Sequence, residues 1–231
     1  ERMLLYGDYD VDGTTSVALM YSFLSRFYQN LDYYLPDRDK EGYGVSLAGV
    51  EYAREQGCAL VIAMDCGIKA HDAVIIAKSY GIDFIICDHH LPEGGLPDAV
   101  ANLDPKRPDC MYPYKDLSGC GISFKFAQAL ALYNNTPAEE LMGLLDLVAV
   151  SIACDIVPMT GENRILAHLG LHRLNTTPSI GLWALMQRTN RPTPLNINDL
   201  VFAVGPLINA AGRLGDAREA VRMMLSTDRH S

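Results

Sequence analysis

The chain has 231 residues, of which 49% are hydrophobic and 20% are charged, a balance that excludes wholesale disorder and allows a substantial core. Its longest apolar runs, at residues 59–64 and 84–87, are far too short to cross a bilayer, so we expect no membrane partner. The net charge of −9 argues against a broadly basic surface for nucleic acid, but divalent cations bound among the acids would reverse the local charge.

The six cysteines contain no Cys-x-x-Cys pair, and several lie in apolar patterns where a thiol packs as a small hydrophobic group. We therefore expect reduced cysteines in a cytoplasmic protein, rather than a disulfide framework or a zinc knuckle. The first residues do not combine a basic stretch with an apolar stretch, so we expect no secretion. Because the chain starts at a predicted strand and ends soon after a helical pattern, we expect it to be part of a longer protein.

The first 105 residues alternate short apolar runs with amphipathic stretches. Apolar strands joined by helices are typical of a parallel sheet that is covered on both faces. The sequence therefore predicts an α/β fold with a parallel β-sheet flanked by helices. The predicted strands are residues 3–7, 32–35, 59–64, 83–87 and 99–103, and the predicted helices are residues 14–28, 47–55 and 70–80.

Beyond residue 116 the pattern becomes helical. Thr136 and Pro137 predict the start of a long helix, with the threonine as N-cap and the proline at the first helical position. We divide the chain into a catalytic domain, residues 1–175, and a helical extension, residues 176–231, that would lead to a second domain. The predicted helices are residues 118–133, 137–153, 164–174 and 180–187, followed by a loop at 189–198 and a final segment, 198–225, interrupted at 212–215.

Acidic residues and histidines follow several of the predicted strands. The carboxyl ends of parallel strands share one edge of a sheet, where open α/β folds bind ligands. So many carboxylates at one edge would repel each other unless cations neutralise them. The residues are Asp8, Asp10 and Asp12 after the first strand, at a spacing that points them to one side, Asp65 after the third, and Asp88, His89 and His90 after the fourth.

Asp155 follows a long apolar pattern and is either part of this cluster or an ordinary acid at a helix end. Aspartate and histidine ligands without cysteine favour Mn²⁺ or Mg²⁺ over structural zinc. A pair of such ions is a common device for hydrolysing a phosphodiester. The residues alone thus favour metal-dependent phosphoester chemistry, although each aspartate by itself also suits a turn or a cap.

Four motifs, in order along the chain, resemble those of the DHH phosphoesterases. A further segment, 209–213, and the form of the first motif are similar to those of family members that degrade single-stranded DNA. The resemblance covers nearly the whole chain. The motifs are Gly7-Asp8-Tyr9-Asp10-Val11-Asp12-Gly13-Thr14-Thr15-Ser16, Asp65 in Met64-Asp65-Cys66-Gly67, Asp88-His89-His90, and Ala153-Cys154-Asp155-Ile156-Val157-Pro158, and the further segment is Asn209-Ala210-Ala211-Gly212-Arg213.

The resemblance implies two ions, either Mn²⁺ or Mg²⁺. Asp10 and Asp65 would hold one, with Asp8 nearby, and Asp65 would bridge to the other as a catalytic residue. The remaining ligands of the second ion would be Asp12, His89 and Asp155. His90 would face the scissile phosphate as a second catalytic residue. Family members with small substrates carry a histidine where this chain has Tyr6.

Substrate-binding residues are also implied by the resemblance. Arg213 would bind phosphate, because a guanidinium offers two parallel hydrogen bonds, and Asn209 would position its segment. Arg38 and Tyr43 would contact the strand, Tyr43 by stacking on a base. Lys106 and Arg107 are further candidates for lining the strand path. For each residue a structural or solvated role is an alternative.

The implied function is 5′→3′ exonucleolytic hydrolysis of single-stranded DNA in repair and recombination, with single-strand-binding protein as a candidate partner. Two alternatives stay open. One is a DHH phosphodiesterase for short oligonucleotides or cyclic dinucleotides, and the other is a binding subunit without catalytic activity. The chain has neither a GxGxxG segment nor a Walker pattern, so we expect no nucleotide cofactor.

Overall fold

The structure is a computed structural model that describes residues 1–214 and 216–228, with the side chains of residues 211–214 outside the description. Within those residues the strands form one parallel sheet in the order β2-β1-β3-β4-β5. The prediction of an α/β fold with a parallel sheet is confirmed. The strands are β1 (Arg2–Gly7), β2 (Leu31–Tyr34), β3 (Cys58–Met64), β4 (Asp83–Cys87) and β5 (Ala101–Leu103).

The register aligns the carboxyl ends of four strands. Gly7 of β1 pairs with Met64 of β3, Met64 pairs with Cys87 of β4, and Cys87 pairs with Leu103 of β5. Each of these four strands is followed directly by an aspartate, so four aspartates lie at the same edge of the sheet. These aspartates are Asp8, Asp65, Asp88 and Asp104.

Helices cover both faces of the sheet. One face carries Leu5, Ile62 and Cys87 into a core shared with α1 (Val11–Leu24) and α4 (Gly119–Asn134). The other face carries Leu4, Val61 and Ile86 toward α2 (Leu47–Glu55) and α3 (His71–Ser79). The strands are apolar on both faces because both faces are buried, as the unalternating pattern predicts.

The helical part of the chain continues the first of these cores. Buried side chains from residues 182–224 join the core that contains α1, and α11 packs directly on α1. Among the described residues no helix combines the length and apolar character needed to cross a membrane. The helices are α5 (Ala138–Met142), α6 (Leu145–Cys154), α7 (Gly161–Thr176), α8 (Ile180–Arg188), α9 (Ile197–Asp199), α10 (Gly205–Leu214), which follows a π-helical turn (Leu200–Val204), and α11 (Ala217–Met224).

The predicted single helix at 137–153 is wrong, because the chain breaks between α5 and α6. The carbonyl of Gly143 accepts a hydrogen bond from Nε of Arg173 at 2.9 Å, so this main-chain oxygen is bound from α7. The predicted N-cap at Thr136 is also wrong: Pro137 occupies the cap position and no side chain caps the helix. α1 begins three residues earlier than predicted, because Asp10 caps it through the Gly13 N–H.

Candidate metal centre

The edge formed by the strand ends gathers carboxylates and imidazoles into two groups. Asp65, His89 and His90 form one group, and Asp12, His89 and Asp155 form the other. In each group the nearest ligand atoms all lie within 4.8 Å of one another. Asp155 reaches this edge because it is the C-cap residue of α6.

Asp65 lies at the centre of the cluster and is 1% exposed. Among the described residues neither of its carboxylate oxygens has a hydrogen-bond partner. Its backbone φ is 61°, a left-handed conformation that few non-glycine residues adopt and that is concentrated at functional sites. Burial raises the pKa of this carboxyl well above its usual value, and the charge of Asp12 raises it further.

Asp12 is held by the first turn of α4, which lies 107 residues away along the chain. The N–H of Gly119 donates to Oδ2 at 2.6 Å and the N–H of Cys120 donates to Oδ1 at 2.8 Å. The hydroxyl of Ser151 on α6 donates to Oδ1 at 2.7 Å. The free N–H groups and the dipole of the helix N-terminus stabilise this buried negative charge.

His89 lies between three carboxylates. Its Nε2 is 3.2 Å from Asp65 Oδ1, 3.7 Å from Asp155 Oδ2 and 3.8 Å from Asp12 Oδ2. Burial lowers the pKa of His89, which favours the neutral imidazole that binds metal ions. Burial also raises the pKa of Asp155 to about 8, with a further contribution from the charges of Asp12 and Asp10.

The residues present fit a divalent cation. Burying a polar atom without a hydrogen-bond partner costs free energy. If such an atom is a metal ligand, the bound ion supplies the missing partner. Oxygen and nitrogen ligands without sulfur suit Mn²⁺ or Mg²⁺ better than a structural zinc. In the part of the chain that the structure describes, the unpartnered carboxylate oxygens of the cluster are Oδ1 and Oδ2 of Asp65 and Oδ2 of Asp155.

The structure does not place Asp8 and Asp10 in either ligand group of the described residues. Both oxygens of Asp8 accept main-chain N–H groups, Oδ1 from Tyr9 at 2.6 Å and Oδ2 from Gly44 at 2.7 Å. Burial raises the pKa of Asp8 to about 7. Oδ1 of Asp10 accepts the capping bond from Gly13, and burial and the charge of Asp12 raise its pKa.

Tyr6 packs in the core on the face of the sheet that α2 and α3 cover. Its ring stacks on Tyr34, and its hydroxyl donates to the carbonyl of Gly44 and accepts the N–H of Ser46, both at 3.0 Å. This tyrosine therefore supports the segment that carries Gly44 and does not enter the cluster.

His90 is oriented from both sides. Its Nδ1 lies 2.7 Å from Oδ1 of Asp88, and its Nε2 lies 3.2 Å from the hydroxyl of Tyr43. That hydroxyl donates to the main-chain carbonyl of Asp65 at 3.0 Å. The hydrogen bond to Asp88 raises the pKa of His90, so the ring is well suited to carry a proton.

The proposed substrate residues differ in their relation to the site. The half-exposed Tyr43 contacts His90, and the edge of its ring packs against Tyr9. Arg38 lies over the Tyr9 ring at 5.5 Å. Asn209 lies on α10, half-buried, whereas the side chain of Arg213 lies outside the described part of the structure.

Sequence reasoning missed the residues that hold the acids in place. Gly119 packs against Asp65 so closely that an added Cβ would be 2.6 Å from Oδ1. Ser151 bonds Asp12. Asp88 was predicted as part of the acidic cluster, but its role in orienting His90 was not. The signal for Ser151 was a single hydroxyl in the otherwise apolar run Leu147–Ala153, where a buried polar group needs a partner.

A parallel α/β sheet with a buried cluster of carboxylates and imidazoles at its carboxyl edge defines a class of divalent-metal proteins. Residues 2–152 match the model of the DHH family, N-terminal domain, and the chain belongs to the DHH family.

Several relatives resemble nearly the whole chain. The single-stranded-DNA-specific exonuclease RecJ of Bacillus subtilis is 41% identical over 229 residues, which are 99% of this chain and 28% of the relative. RecJ of Escherichia coli is 39% identical over 97% of this chain and 41% of its own length. A crystal structure of exonuclease RecJ bound to manganese superposes with a TM-score of 0.89 and 31% identity, covering 99% of this chain and 57% of the other. The chain therefore spans less than two thirds of each of these relatives.

Proposed function

We propose that the chain is the catalytic core of a metal-dependent exonuclease that degrades single-stranded DNA in the 5′→3′ direction during repair and recombination. The observation that carries the proposal is the buried Asp65 carboxylate, which lacks hydrogen-bond partners among the described residues and lies beside His89. The similarity to RecJ exonucleases over nearly all of this chain supports single-stranded DNA as the substrate.

The proposed cofactors are two Mn²⁺ ions, with Mg²⁺ as an alternative. Structures of RecJ from Thermus thermophilus contain Mn²⁺ in one case and Mg²⁺ in another, which supports a site for hard divalent ions. Asp12, Asp65, His89 and Asp155 would hold one ion, and Asp65 with Asp10 would hold the other, supported by Asp8. Bound there, the ions would supply a water of lowered pKa and stabilise negative charge on the phosphoryl oxygens.

The chain's own residues would orient the phosphate and supply a proton. His90 receives a fixed orientation from Asp88 and Tyr43, and its raised pKa favours the charged ring. A charged imidazole can donate a hydrogen bond to a phosphoryl oxygen or a proton to the leaving oxygen. Arg213, Asn209, Arg38 and Tyr43 would bind the strand.

The proposal includes a cytoplasmic location and single-strand-binding protein as a partner. Buried or half-buried cysteines without disulfides among the described residues are compatible with a reducing compartment. The proposal favours long strands over short oligonucleotides because the relatives that match this chain are exonucleases specific for single-stranded DNA. A series of substrates of increasing length separates the two, since an oligonucleotidase should prefer the shortest.

The direct test is hydrolysis of single strands blocked at one end. With Mn²⁺ present, a strand blocked at its 3′ end should release mononucleotides, and a strand blocked at its 5′ end should not. Equal degradation of both would contradict the polarity, and preference for the 5′-blocked strand would reverse it. If neither strand, nor an unblocked one, is hydrolysed at any Mn²⁺ concentration, the catalytic proposal is wrong.

A further inference from the structure

The turn that follows β5 continues the edge that carries the acids. The N–H of Asp88 donates to the carbonyl of Leu103 at 3.0 Å, which extends the β4–β5 pairing by one residue. Asp104 therefore leaves β5 beside Asp88, and Lys106 follows two residues later. The topology thus brings a basic side chain to the edge where the metal centre lies.

The backbone at Lys106 is fixed by its neighbours. Oδ1 of Asp104, a residue that is 3% exposed, accepts the N–H of Lys106 at 2.7 Å. The N–H of Arg107 donates to the carbonyl of Asp104 at 3.3 Å, and the Arg107 guanidinium donates to the carbonyl of Asn102. These hydrogen bonds hold the main chain of the turn, and with it the backbone of Lys106, in one position.

The two cations of this turn differ in their partners. Arg107 is neutralised by Asp109, to which Nε donates at 3.0 Å and Nη2 at 2.6 Å. The half-buried Lys106 forms no ion pair with a carboxylate anywhere in residues 1–214 and 216–228. Lys106 lies two residues beyond Asp104, at the same edge of the sheet as Asp88 and the metal centre.

We propose that Lys106 binds a non-bridging oxygen of a backbone phosphate of the single strand, beside the end of β4 that carries Asp88. This proposal rests on the proposed function. Once Asp155 and its neighbours hold metal ions, their oxygens are occupied, and the ammonium group is left as a donor for an added anion. A phosphodiester is the anion that the strand brings to this place. Lys106 would thus hold the strand at a point separate from Tyr43, the residue that contacts His90.

A purely electrostatic role makes a different prediction. If Lys106 only offsets the charge of the acids, its removal should tighten Mn²⁺ binding and leave the interaction with DNA unchanged. If it binds phosphate, its removal should weaken the interaction with DNA. The two roles therefore separate in the KM for the strand and in the affinity for Mn²⁺.

The experiment compares Lys106→Met, Lys106→Arg and the control Lys78→Met in the Mn²⁺-loaded protein with a labelled single strand. Lys78 pairs with Asp98 on the surface, so the control removes the same charge elsewhere. Loss of one charge-assisted hydrogen bond to phosphate should raise KM about tenfold in Lys106→Met, with kcat changed less than about twofold. Lys106→Arg should stay near the parent protein. The slope of log(kcat/KM) against log salt should become shallower by roughly 0.7 in Lys106→Met.

A second arm changes the substrate. In a series of strands, one phosphate at a time is replaced by a neutral methylphosphonate. At one position the replacement should weaken the binding of the strand to the parent protein and should have no further effect on its binding to Lys106→Met. An unchanged KM in Lys106→Met together with tighter Mn²⁺ binding would overturn the proposal. If the parent protein hydrolyses no strand, the proposed function fails, and the same comparison read as the Kd of each strand still decides the role of Lys106.

Discussion

Nε2 of His89 lies 3.2 Å from Oδ1 of Asp65, where the ends of the neighbouring strands β4 and β3 meet. The carboxylate is buried and lacks hydrogen-bond partners among the described residues, and burial lowers the pKa of the imidazole, which favours its neutral form. This pair offers an oxygen and a nitrogen donor at one point of the sheet edge, and the proposed metal centre depends on it.

Asp65→Asn should abolish hydrolysis, because it removes the carboxylate at the centre of both proposed ion sites. Loss of a residue that only orients a metal ligand lowers metal affinity or activity about 10- to 100-fold. For loss of the carboxylate itself we expect a fall in kcat/KM of more than about 100-fold. The metal-free variant should also unfold at a higher temperature, since one of several repelling acids is gone. The matched control is Asp83→Asn at the opposite, amino end of β4, which should leave both quantities unchanged. Full activity in Asp65→Asn would remove this residue from the site.

Gly119→Ala should damage the site through packing alone. The new Cβ would lie 2.6 Å from both Cβ and Oδ1 of Asp65, which forces the carboxylate or the start of α4 to move. We expect a fall in activity of about tenfold or more, because a displacement of about 1 Å at a site is costly. Gly121→Ala is the control, since its nearest neighbour is the Ser118 hydroxyl at 3.3 Å and its stability should change by at most about 1 kcal/mol. Equal activity in the two variants would contradict the packing argument.

Ser151→Ala should weaken the support of Asp12. The hydroxyl that donates at 2.7 Å is lost, while the two main-chain donors from α4 stay. We expect a loss of about 1 kcal/mol of stability and of roughly tenfold in Mn²⁺ affinity. Ser123→Ala removes another buried hydroxyl, which donates only to the carbonyl of Gly119, and should leave Mn²⁺ affinity unchanged. Calorimetric titration with Mn²⁺ distinguishes the variants, and identical affinities would show that the serine has no such role.

The affinity for Mn²⁺ should rise with pH. Burial raises the pKa of Asp155 to about 8 and that of Asp65 well above its usual value, so protons compete with the ion at neutral pH. Because the folded pKa exceeds the unfolded one, the metal-free protein binds more protons when folded and its stability should fall as pH rises from about 6 to 9. Titrations and thermal unfolding with a chelator across this range test both trends. An affinity that does not change with pH would show that no proton competes with Mn²⁺ at these carboxyls.

The main features of the site could be predicted from the sequence because they follow from strand periodicity. Asp65 and His89 come directly after apolar strands, and parallel strands must end at one edge. Asp155 was ambiguous, since an acid at the end of an apolar helix is common, and its approach to His89 at 3.7 Å depends on the packing of α6. The resemblance to the DHH family resolved that ambiguity where the pattern could not.

The supports of the site could not be predicted because they depend on contacts distant in sequence. Asp12 receives its hydrogen bonds from residues more than 100 positions away, and no local pattern encodes that distance. The break between α5 and α6 has the same origin, since Arg173 on α7 binds the carbonyl of Gly143. Local propensity favoured one continuous helix there, and a tertiary contact decided otherwise.

The most direct test of the central claim is the number of Mn²⁺ ions bound per chain, measured by calorimetric titration of metal-free protein. The account predicts two ions for the parent protein, and strongly reduced binding at both sites for Asp65→Asn, because this carboxylate would bridge them. Asp83→Asn should bind as the parent protein does. Binding of the full number of ions by Asp65→Asn, or of none by the parent protein, would contradict the account.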